Sequence, residues 1–71
     1  MKLTQKQIID QWEYWTGYLV TFNKDLSQEE IHSTNKMLKA LSDQAFCYYG
    51  GDFEQSLRRP KYDKAKGYYW E

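Results

Sequence analysis

Two short segments of this chain mark where helices begin, and both use the same chemistry. Thr4-Gln5-Lys6-Gln7 and Ser27-Gln28-Glu29-Glu30 each place a hydroxyl three residues ahead of a Gln or Glu. In such a capping box the hydroxyl accepts from the amide three residues on, and that residue's side chain reaches back to the cap amide. Leu3 with Ile8, and Leu26 with Ile31, are spaced to staple the two helix starts hydrophobically. Two capped starts 23 residues apart in a chain of 71 leave little room for anything but a helical hairpin.

The residues behind each start agree. Ile8, Trp12, Trp15, Leu19 and Phe22 recur at steps of four and three, one stripe of a helix over about residues 5–22. Tyr14 and Tyr18 flank that stripe on one side, Ile9 and Val20 on the other, and Gly17 falls opposite it. The second stripe is Ile31, Thr34, Leu38, Leu41, Ala45 and Tyr48, with Met37 beside it. It runs to a stop at Gly50-Gly51, where a left-handed cap fits, so the second helix spans about residues 28–49. Glu29 and Glu30 occupy its first turn, where the helix dipole favours negative charge.

Helices joined by so few residues run antiparallel. Trp12, Trp15 and Leu19 then face Leu38, Leu41 and Ala45. Asp52-Phe53-Glu54-Gln55 is a weaker third start, and Pro60 disfavours helix at Arg59. The third helix is therefore short, about residues 53–59. Residues 60–71 have no helical period and are expected as an irregular aromatic tail, laid across the helices or projecting as an arm. The expected fold is all-α: one domain over residues 1–71, an antiparallel two-helix hairpin with a short third helix and that tail.

Seventy-one residues are close to the least that one core can hold together. Cys47 is the single cysteine, so no internal disulfide helps. Packing must come from large rings, of which there are three Trp, seven Tyr and three Phe, or from a partner. No apolar run approaches membrane-spanning length. The start, Met1-Lys2-Leu3-Thr4, is not a signal-peptide core, and with a free thiol it points to a reducing cytoplasm.

Little in the chain suggests catalysis. His32 has Glu29 and Lys36 one turn away, but it projects off the apolar stripe with no nucleophile presented to it. Cys47 reads as a small apolar filler beneath the third helix. Gly50-Gly51 lacks the Lys and Ser/Thr of a phosphate loop. Neither a metal nor a cofactor is implied, and a non-catalytic role is expected.

Charge carries the functional lead. The formal total is zero, yet Arg58, Arg59, Lys61, Lys64 and Lys66 face only Asp63 within residues 58–66. The chain is thus neither an acidic DNA mimic nor a generally basic nucleic-acid coat. The expected contact set is Arg58, Arg59, Tyr62, Lys64, Lys66, Tyr68, Tyr69 and Trp70. Arginines for carboxylates and rings as anchors suit a groove on a larger protein. The same set suits a nucleic acid, through phosphate contacts and stacking. A third possibility is that the rings complete the core and the cations are a solvated face. Gly50-Gly51 and a short third helix outline a helix-turn-helix, but that helix presents too few residues to a groove.

Tyr14, Tyr18, Phe46 and Tyr49 exceed what two helices bury, so the tail, a partner or a second copy must cover them. The expected function is an inhibitor or modulator that occupies a larger protein. A small accessory product of a phage or mobile element has this profile.

Overall fold

A computed structural model describes residues 2–70; Met1 and Glu71, the last residue of the expected tail, lie outside the described residues. The element order is α1 (Gln5–Phe22), α2 (Gln28–Tyr49), α3 (Gly51–Ser56), β1 (Lys61–Asp63) and β2 (Gly67–Tyr69). Both capping boxes form in full. Thr4 Oγ1 accepts from the Gln7 amide at 3.1 Å and Gln7 Oε1 accepts from the Thr4 amide at 2.9 Å. The Ser27 and Glu30 pair repeats the arrangement at 3.2 and 3.3 Å. Each such cap stabilises its helix by about 1 kcal/mol.

Asp25 and Leu26 turn back on the Phe22 carbonyl, which keeps the α1–α2 connection short. At the opposite end Tyr49 Oη donates to the Leu3 carbonyl at 2.6 Å, and the Leu3 amide donates to Gln44 Oε1 at 3.4 Å. These bonds hold the start of α1 against the end of α2, so the helices are antiparallel as expected.

The core consists of Ile8, Trp12 and Leu19 from α1, Leu38, Leu41 and Ala45 from α2, and Leu57. Both stripes lose their last member: Phe22 and Tyr48 are exposed. A stripe stepped at four and three advances 3.5 residues per turn, against 3.6 for the helix. At 100° per residue, Phe22 has rotated about 40° from Ile8 and Tyr48 about 100° from Ile31. Thr16 is buried on the other side of the α1 stripe. Its hydroxyl donates to the Trp12 carbonyl at 2.7 Å, and buried Thr34 does the same to Glu30 at 2.8 Å. Such back-bonding lets a hydroxyl sit in an apolar layer.

The third helix differs from the expected 53–59. Gly50, at φ 91°, turns the chain, α3 starts at once with Gly51, and Asp52 lies inside its first turn rather than capping it. The helix ends at Ser56 because Leu57 becomes extended (φ −69°, ψ 123°) and drops its side chain into the core.

The tail is not irregular. It forms a two-stranded antiparallel hairpin with Lys61 opposite Tyr69, Tyr62 opposite Tyr68 and Asp63 opposite Gly67. Asp63 Oδ1 accepts from the Ala65 and Lys66 amides at 2.7 and 3.2 Å and closes the turn. Gly67 completes it at φ 79°, a conformation that costs other residues strain. A Cβ on Gly67 would lie 2.0 Å from Asn23 Oδ1, so the glycine also permits the hairpin's close approach to α1.

The result is two layers within 35 × 24 × 15 Å. α1 and α2 form one layer. The second, α3 and the hairpin, covers a single face of it.

Candidate functional site: a lysine-lined cleft beside the hairpin

The expected contact set is divided by the fold. Its first members are engaged in packing. Trp12 Nε1 donates to the Arg58 carbonyl at 2.6 Å, which fixes the backbone where α3 gives way to the hairpin. The Arg58 guanidinium lies 4.3 Å from the centre of the Trp70 ring, a cation–π stack that holds the end of the hairpin. Arg59 pairs with Glu54, donates to the Leu57 carbonyl at 3.1 Å and lies over the Trp12 ring.

Glu54 also accepts from Ser42 Oγ at 2.7 Å, which links α3 to α2. That hydrogen bond is the main reason its carboxyl sits below the usual carboxylate range; partial burial opposes it, and Arg59 adds to it. A carboxyl lowered in the folded state contributes stability above its unfolded pKa and loses it as pH falls through the folded value. The α2–α3–Arg59 link is therefore complete at neutral pH.

Tyr68 is the hairpin's anchor. Its carbonyl accepts from Asn23 Nδ2 at 3.2 Å, its hydroxyl accepts from Asn35 Nδ2 at 3.1 Å, and its ring packs against the core. Tyr69 and Trp70 are half-buried, and Lys66 Nζ lies 5.5 Å from the centre of the Tyr69 ring. Tyr62, paired across the strands with Tyr68 at 5.0 Å between ring centres, is 64 % exposed.

Pinning the hairpin at Tyr68 brings its turn against the α1–α2 connection. Between them is an open cleft of about 210 Å³. Lys64 and Lys66 line it from the turn, and Lys24 lines it from the connection. Tyr62 and Tyr68 supply its rings, and Leu26 and Ile31 an apolar floor. Lys24 lies 34 residues before the basic segment begins, so no local charge count marks it. The bonds of Asn23 and Asn35 to Tyr68 bring the hairpin turn that carries Lys64 to the same cleft.

The other candidate groups lie elsewhere. His32 is exposed on α2. Cys47 is not beneath α3 but exposed; at 100° per residue it points about 180° away from Leu38. Its neighbours around a shallow depression are Ala40, Asp43, Gln44 and Tyr48. Among the described residues no three His, Cys, Asp or Glu side chains converge as a metal site. No described helix is long and apolar enough to cross a membrane. Comparison with protein-family models, curated proteins and solved structures finds no match to this chain.

Proposed function

We propose that this chain is a non-catalytic binding module that seats an acidic segment of a larger protein in the lysine cleft and so inhibits or modulates that protein. The observation that carries the reading is that Lys24, Lys64 and Lys66 line one cleft together with Tyr62 and Tyr68. Cations at a rim steer an acidic partner in, and the rings and apolar floor give its side chains area to bury. The hairpin is pinned by two asparagines before any partner arrives, which lowers the ordering cost of binding. Arg58, Arg59 and Trp70 shape this surface from behind, as positioning residues.

A protein fits better than a single-stranded nucleic acid. Stacking needs free ring faces. Tyr68, Tyr69 and Trp70 are half-buried, and two of the three carry a cation over the ring, which leaves Tyr62 as the exposed platform.

The test is affinity capture from native cell extract, followed by titration of the retained protein. Lys64→Glu with Lys66→Glu should weaken capture tenfold or more, a difference of about 1.4 kcal/mol, with helical circular dichroism unchanged. Equal retention by the variant would refute the cleft. Retardation of a single-stranded oligonucleotide, falling steeply with salt, would assign the lysines to phosphate instead.

A further inference from the structure

The layer formed by α1 and α2 is covered on one face only. α1 turns Thr16 and Gly17 toward Arg58 and Trp70, and α2 turns Asn35 and Ser42 toward Tyr68 and Glu54. Among the described residues no second layer covers the opposite flank of both helices. It displays Tyr14, Trp15, Tyr18 and Phe22 from α1 and Met37 and Tyr48 from α2. The four α1 rings form a continuous ladder, with successive centres 4.9, 5.9 and 5.4 Å apart. Tyr14 is 64 % exposed, Phe22 45 %, Met37 43 % and Tyr48 49 %.

The composition of this face is unlike that of the rest of the molecule. Charged residues make up 28 % of the chain. Yet the polar positions turned this way along the helices are chiefly Gln7, Gln11, Ser33 and Gln44. Glu30 also lies on this side, but its carboxylate is used in the Ser27 cap. Aromatic and methionine enrichment with charge depletion is the pattern of an interface centre. The charges at its two ends differ in sign. Lys2 stands over the Tyr48 and Tyr49 rings at 5.2 and 5.0 Å, and Glu29 and Glu30 border the groove beside Trp15 and Tyr18 at the other end.

We propose that a second copy of this chain covers this face, related by a two-fold axis that places the Lys2 end of each copy against the Glu29 end of the other. An isologous contact sets a patch against itself, so its centre must be uncharged and any end charges must be of opposite sign. This patch meets both conditions, and the axis follows from them: with like ends together, Lys2 would meet Lys2. The areas agree. Two packed helices of 18 and 22 residues, each about 10 Å across, present a face of about 600 Å², within the range of about 600–1,000 Å² per partner that a stable interface covers. The chain exposes 5331 Å², against about 4,700 Å² expected of a compact monomer of this mass. Pairing makes a four-helix core with α3 and the hairpin outside. The two lysine cleft surfaces remain open on the outer faces, so the inference is independent of the proposed function.

Sedimentation equilibrium on the intact chain tests it. The expected mass is that of two chains at about 100 μM, falling to one on dilution. Tyr14→Glu, at an exposed ring, should weaken association at least tenfold with helical circular dichroism unchanged. Lys2→Glu and Glu29→Lys should each weaken it severalfold, and the double exchange should restore it. A single-chain mass at about 1 mM would overturn the proposal and leave the face to another protein. Association indifferent to Tyr14→Glu would overturn it too. Failure of the double exchange to restore pairing would overturn the opposed-end arrangement.

Discussion

Both faces of the α1–α2 layer carry large aromatic rings, and those rings end in different states. On the covered face, Trp12 is sealed beneath Arg59 and bonded to the Arg58 backbone, and Tyr68 is held at both its carbonyl and its hydroxyl. On the open face, Tyr14 and Tyr18 touch mainly rings of their own helix. Aromatic content alone therefore does not distinguish core from binding surface. What distinguishes them is whether the polar atom of the ring has a partner and whether another element crosses above it. Trp12 Nε1 has its acceptor in the Arg58 carbonyl, and α3 with the hairpin brings that acceptor into place.

The sharpest test of this contrast is Trp12→Ala. It removes a buried ring, the Arg58 hydrogen bond and the surface on which Arg59 lies. The expected loss is about 3–5 kcal/mol, enough to leave a domain of this size largely unfolded; denaturant titration measures it. A loss below about 1 kcal/mol would mean that the covered face is no better packed than the open one.

Gly67→Ala probes the joint between the layers. The substitution combines a strained positive φ with a Cβ 2.0 Å from Asn23 Oδ1. About 1–2 kcal/mol of strain is expected from the backbone alone. The hairpin should lift from α1, which would be seen as faster amide exchange in residues 61–69 while α1 and α2 keep their protection. Uniform loss of protection would show instead that the hairpin and the helices open as one unit.

Tyr14→Ala should have the smallest effect. Measured at dilution, where the chain is single, it should change unfolding free energy by no more than about 0.5 kcal/mol. A larger loss would place the Tyr14–Trp15 edge contact among the interactions that hold the monomer.

The helices were legible in the sequence because their determinants are local. A cap bond spans three residues and a stripe repeats within two turns, so Thr4, Ser27 and the spacing of Ile8, Trp12 and Leu19 suffice to place α1 and α2. The basic segment was equally legible as a run of charge. The hairpin was not. Strands of three residues are too short to show alternation, and their pairing depends on an Asp63 turn and on Gly67 meeting Asn23, 44 residues away.

Other features arose only when the elements packed. Burial of Leu57 ended α3 at Ser56. The cleft required Lys24 to meet Lys64 and Lys66, and the same packing determined which rings were covered and which were left to the open face. A sequence specifies what a residue offers to neighbours within a few positions. Which face is sealed depends on bonds between distant segments, and those exist only once the layers have met.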